Sequence, residues 1–118
     1  MVEIKTPAEL ERMRRASRIV ALALDLLKKE IKPGVSTAYL NGRAESEIRS
    51  RGAVPAFLGY RGYPAALCVS INEEVVHGIP SDKRTLREGD VVSLDLGAVY
   101  GGFYGDAAVT VAVGSVPP

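Results

Sequence analysis

The sequence predicts an α/β protein of the α+β kind, with two helices packed on an antiparallel sheet that ends in a C-terminal β-hairpin. Three observations carry this expectation. Apolar residues recur at steps of three and four from Leu10 to Ile31, and at steps of four from Leu40 to Ile48. From Ala53 onward the pattern turns extended, and near the end two alternating runs flank Gly101-Gly102. At 118 residues a single core is the expectation, so residues 1–118 are read as one domain.

The first helix is expected at about residues 7–31. Thr6-Pro7-Ala8-Glu9 has the form of a capping box, with the Thr6 hydroxyl accepting from the Glu9 amide and Pro7 at the first helical position, where a missing N–H costs nothing. Leu10, Met13, Ser17, Val20, Leu24, Leu27 and Ile31 then form one stripe, widened by Ala16, Ile19, Ala23 and Leu26. Lys28, Lys29 and Lys32 suit the negative end of the helix dipole, and Pro33-Gly34 stops the helix. Ser36 or Thr37 can cap a second helix to about Ser50, with Leu40, Ala44 and Ile48 on one side and Gly52 as its stop. Gly42 inside it costs roughly 1 kcal/mol relative to alanine.

Pro55, Gly59, Gly62 and Pro64 break Ala53 to Ala66 into a loop or irregular strand. Leu67 to Ile71 and Glu74 to His77 read as short strands about an Asn72-Glu73 turn, and the polar stretch from Ser81 to Asp90 as a connector. Val91 to Tyr100 and Phe103 to Val113 make the hairpin, because Gly101-Gly102 tolerates the positive φ of a tight turn.

Composition excludes several function classes. Fifteen basic and fourteen acidic residues leave a net charge of +1, so there is no global pull toward nucleic acid or an anionic membrane, and neither is an expected partner. The apolar run from Ile19 to Leu27 is interrupted by Asp25 and falls short of the roughly 20 residues that span a bilayer. No signal peptide is apparent, and a cytoplasmic location is expected. Cys68 is the only cysteine and His77 the only histidine, which rules out an intrachain disulfide and a thiolate cluster for zinc. Catalysis by this chain would rest on one imidazole and on carboxylates.

A turn centred on Gly101-Gly102 sets Gly97 opposite Asp106 and Asp95 opposite Ala108. With a side-chain period of two, Asp95 and Asp106 then share a face as diagonal neighbours, roughly 7–8 Å apart. A loop one residue longer or shorter would put them on opposite faces. Two carboxylates forced together repel, and a divalent ion relieves the repulsion, with glycine at 97 leaving room for it. Manganese, iron(II), cobalt and zinc suit such oxygen donors. The alternative is that one aspartate faces solvent and the other binds backbone amides near the turn.

Ile4-Lys5-Thr6-Pro7, Lys32-Pro33-Gly34-Val35-Ser36-Thr37, Leu58-Gly59-Tyr60, Gly62-Tyr63-Pro64, Ser70-Ile71-Asn72-Glu73, Val76-His77-Gly78-Ile79-Pro80, Leu94-Asp95 and Gly105-Asp106 together resemble type I methionine aminopeptidase over nearly the whole chain. The resemblance implies the pita-bread fold, in which two related halves enclose a site for two divalent ions, and this chain corresponds to the amino-terminal half. It implies that Asp95 and Asp106 are metal ligands and that His77 contacts substrate near the scissile amide. Tyr60, Tyr63, Cys68 and Phe57 look like the methionine side-chain pocket, for which an apolar, polarisable lining suits a thioether. Core packing is the alternative for Cys68 and Phe57, and satisfaction by backbone groups is the alternative for His77. Arg61 stands where many relatives carry histidine. The second histidine and two glutamates of the family site, one of them the expected general base, match no residue here.

The expected function is therefore that of half of a methionine aminopeptidase, inactive alone, acting in the complete enzyme on peptides with an N-terminal methionine. The competing expectation is a non-enzymatic half that self-associates as a homodimer and binds divalent metal, or a binding module that kept the pocket alone.

Overall fold

The computed structural model describes residues 6–59, 62–72 and 79–114. Helix α1 runs Pro7–Glu30 and opens on the predicted capping box: Thr6 Oγ1 accepts from the Glu9 amide at 3.2 Å, and Glu9 Oε1 accepts from the Thr6 amide at 3.0 Å. Helix α2 spans Thr37–Ser50, capped by Ser36, whose Oγ accepts from the Tyr39 amide at 3.0 Å. Strands β1 (Val54–Pro55), β2 (Leu67–Ile71), β3 (Val91–Tyr100) and β4 (Phe103–Ala112) follow.

Strand β3 organises the sheet. β4 pairs antiparallel with it along all ten residues, while β1 and β2 share its other edge in tandem. Period-two alternation sends Val92, Leu94, Leu96 and Ala98 inward, joined by their β2 partners Leu67, Val69 and Ile71. These pack against Ile19, Val20, Ala23, Leu24 and Leu27 of α1 and Leu40, Ala44 and Ile48 of α2, with Leu86 and Val113 closing the core. The opposite sheet face carries Cys68, Ser70, Ser93, Asp95, Gly97, Tyr104, Asp106, Ala108 and Thr110.

The helical stripe differs from expectation at its start. Leu10, at 40% exposure, lies outside the core, because burial on α1 begins only at Ala16, and the Ser17 side chain is exposed although its backbone rests against β4. The first turns of α1 instead run beside the hairpin tip, where Arg12 lies 5.3 Å from the Phe103 ring centre and Arg15 5.5 Å from that of Tyr100. Periodicity reports which side of a helix is apolar and says nothing of how far the sheet beneath it extends. Farther along, α1 meets β4 closely at Gly105, where an added Cβ would stand 2.7 Å from the Ser17 amide nitrogen.

Among the described residues no helix is long and apolar enough to cross a membrane. The strand expected at Glu74 to His77 lies outside the described residues.

Candidate metal and substrate site

The site begins with the hairpin turn. Gly101 at φ 56° and Gly102 at φ 85° provide two successive left-handed residues, the requirement of a two-residue turn that matches strand twist. This fixes the register, with Asp95 opposite Ala108 and Gly97 opposite Asp106. Asp95 and Asp106 consequently lie on one face as diagonal neighbours, and both are exposed.

The space above Gly97 is occupied differently from the sequence expectation. A Cβ at this position would stand 3.0 Å from Phe57 Cε1, 3.2 Å from the Ala56 Cβ and 3.2 Å from the Tyr104 hydroxyl. The missing side chain thus admits an aromatic edge and a phenol, and those groups take the room that the sequence reading assigned to an ion. Ala56 reaches this place because its amide donates to the Gly97 carbonyl at 3.0 Å, extending β1 by one residue.

One row along the sheet, Cys68 pairs with Asp95. Cys68 is buried at 8% exposure, and burial pushes its thiol pKa up, helped by the neighbouring Asp95 charge and opposed by a hydrogen bond with Tyr63. Its neutral thiol is a soft, nearly apolar surface rather than a thiolate ligand. Tyr63 is half-buried, and burial followed by its contacts with Cys68 raises its phenol pKa well above the ordinary tyrosine range. Its hydroxyl donates to the Leu67 carbonyl at 2.9 Å. The loop that carries Tyr63 is closed by the Gly59 amide, which donates to the Tyr63 carbonyl at 2.8 Å.

The structure therefore brings Phe57, Tyr63 and Cys68 to the same stretch of sheet face as the aspartates. Tyr60, Arg61 and His77 lie outside the described residues. The donor chemistry of Asp95 and Asp106 fits a shared divalent cation, since two hard oxygen groups project from one exposed face as diagonal neighbours. It is a partial set: among the described residues no group of three or more His, Cys, Asp or Glu side chains could hold a metal ion.

Sequence reasoning missed two members of this region. Tyr104 is one, although alternation two residues before Asp106 already puts it on the same face. Asn41 is the other: its Oδ1 accepts from the Ala66 amide at 2.9 Å and the Leu67 amide at 3.0 Å. A mid-helix asparagine is a weak helix former, and that was the available signal.

Comparison with known proteins identifies the family. Residues 11–118 match the family described as Metallopeptidase family M24. A methionine aminopeptidase of Clostridium acetobutylicum is 52% identical over 116 residues, which are 98% of this chain and 46% of that protein. One from Aquifex aeolicus is 50% identical, over 99% of this chain and 48% of its own length. The crystal structure of the Thermotoga maritima methionine aminopeptidase superimposes with a TM-score of 0.93 at 48% identity, covering 99% of this chain and 47% of that one. The chain spans about half the length of the curated relatives it matches, and its two helices on an antiparallel sheet with a hairpin are half of a pita-bread fold. With a family match over most of its length and the same half-fold in a solved relative, the chain belongs to metallopeptidase family M24.

Proposed function

We propose that this chain is the amino-terminal half of a dinuclear-metal methionine aminopeptidase, which removes the N-terminal methionine from nascent peptides in the cytoplasm. The observation that carries the reading is the hairpin register, which sets Asp95 and Asp106 on one exposed face beside Phe57, Tyr63 and Cys68. The relatives' activity supports the substrate class.

In this reading Asp95 and Asp106 hold divalent ions, of manganese, iron(II), cobalt or zinc, and such ions supply Lewis acidity and a more acidic water for amide hydrolysis. The Phe57 edge, the Tyr63 ring and the neutral Cys68 thiol form a wall for an unbranched thioether side chain, with Tyr60 as a further lining residue. His77 hydrogen-bonds the substrate near the scissile amide. The remaining ligands and the general base belong to the other half, so the 118-residue chain alone is expected to lack turnover.

Titration calorimetry with manganese(II) tests the metal assignment. Asp95→Asn and Asp106→Asn should each weaken binding by roughly tenfold or more while the metal-free chain keeps its far-ultraviolet circular dichroism, since removing one of two like charges relieves repulsion. Unchanged titrations in both variants would mean that the pair is not a metal site.

A second reading, self-association of the chain as a homodimer that binds divalent metal, is favoured by one feature. Strand β4 is ten residues long, and among the described residues it hydrogen-bonds a strand on one side only. Sedimentation with and without manganese(II) checks this: dimer formation should strengthen with metal, because ions offset the carboxylates that meet when two copies pair. A monomer at every concentration would remove this reading.

A further inference from the structure

Helix α2 carries two polar side chains one turn apart, and each binds backbone from a different incoming segment. Thr37, 1% exposed, donates from Oγ1 to the Ser81 carbonyl at 3.0 Å and accepts from the Ser81 amide at 2.8 Å. Asn41 Oδ1 accepts from the successive amides of Ala66 and Leu67. Amides of successive residues in a straight strand point to opposite sides, so one oxygen that binds both marks a bend where the loop enters β2. Cys68 is the next residue.

The same residue, Leu67, is held from its carbonyl side as well. The Leu67 carbonyl accepts the Tyr63 hydroxyl at 2.9 Å, which ties the Tyr63 ring to the residue that precedes Cys68 in β2. A chain of hydrogen bonds therefore leads from the Asn41 amide oxygen through the Leu67 backbone to the Tyr63 phenol, and Cys68, the next residue of β2, pairs with Asp95. The stretch between the two anchored points, Leu67 and Ser81, carries both Cys68 and His77.

We propose that Asn41 is a positioning residue, which through the Ala66 and Leu67 amides sets the Tyr63–Cys68 wall of the methionine pocket at its distance from Asp95. The identity of that pocket rests on the proposed function. An ordinary helix position would favour alanine or leucine. Asparagine at a site half-covered by the loop, with both bonds directed outside its own helix, is accounted for by the backbone it holds.

The test uses the 118-residue chain with Asn41→Leu, which keeps the volume and removes the acceptor, and Asn41→Asp, which keeps the acceptor. Amide hydrogen exchange at Ala66 and Leu67 and the rate of Cys68 alkylation by iodoacetamide at fixed pH are measured beside urea stability. Asn41→Leu should raise both rates by roughly tenfold or more beyond what its change in global stability predicts, because two amides lose their partner. Asn41→Asp should return both to near the original values. Should Asn41→Leu not fold, Asn41→Ala, which leaves space for water at the amides, carries the same comparison. Rates that follow global stability alone, or an aspartate variant indistinguishable from the leucine variant, would overturn the assignment. The manganese titration of the aspartate variants is a separate measurement, so this assignment and the proposed function can fail independently.

Discussion

Gly105→Ala should destabilise the chain by about 2–3 kcal/mol, far more than an added methyl suggests. Gly105 is buried on the inward face of β4, opposite Ala98. A Cβ there would stand 2.7 Å from the Ser17 amide nitrogen, 2.8 Å from the Ala16 carbonyl carbon and 2.9 Å from Ser17 Cα. All three atoms are α1 backbone, so no side-chain rotation can clear them. Since carbon contacts settle at about 3.5–4.0 Å, α1 must lift or β4 must bow by on the order of 1 Å. Lifting α1 loosens Ala16, Ile19, Val20 and Ala23, which are at most 4% exposed, against the sheet. Overpacking of this kind costs typically 1–3 kcal/mol, and a rigid backbone neighbour puts the gross cost at or above the upper end. Relief of glycine's unfolded-state entropy returns about 0.5–1 kcal/mol. Urea unfolding followed by circular dichroism measures the difference, provided that the slope of the transition is unchanged. A loss below about 1 kcal/mol would show that α1 does not rest on β4 at this point.

Two further outcomes concern positions where the structure predicts the sign. Gly42→Ala should stabilise the chain by about 0.5–1 kcal/mol, because Gly42 is mid-helix and exposed, and an added Cβ would meet nothing within 4 Å. A lower thermal midpoint in this variant would contradict the open surface of α2. Asp90 has its carboxyl pKa lowered, first by the Arg87 amide donating to Oδ2 at 2.9 Å and then by Asn72 Nδ2 donating to Oδ1 at 3.1 Å. A depressed folded pKa means that this stabilisation is present above the unfolded aspartate value of about 3.9 and is lost as pH falls through the folded value. The thermal midpoints of the chain and Asp90→Asn should therefore converge in acid; a gap that stays constant through that range would assign the tie to something other than the carboxylate.

Much of the scaffold was legible because its signals are local. The capping box at Thr6 and Glu9, the α2 cap at Ser36 and the bounds Leu67–Ile71 of β2 all depend on residues within a few positions of one another. Exposure of Leu10 was not legible, since it depends on where the sheet ends beneath α1. Asn41 escaped for a related reason: its partners, Ala66 and Leu67, are about 25 positions away in sequence, and helical periodicity carries no information about a loop that crosses above.

The candidate site divides along the same line. Placing Asp95 and Asp106 on one face needs only a two-residue turn and a period of two, and both are written into the consecutive positions 95–106 around Gly101-Gly102. What lies over Gly97 needs two separate pieces of chain to converge on β3, Ala56 and Phe57 from beyond α2 and Tyr104 from β4. The pairing of Gly97 with Asp106 told that position's face correctly, and the inference that an empty side chain leaves empty space then failed. In a packed protein the room left by a glycine is taken by whichever neighbour can reach it, and the phenol of Tyr104 and the edge of Phe57 both can. In the proposed site Gly97 therefore belongs to the pocket wall as much as to the carboxylate pair, and it joins the apolar and the ionic parts on a single strand.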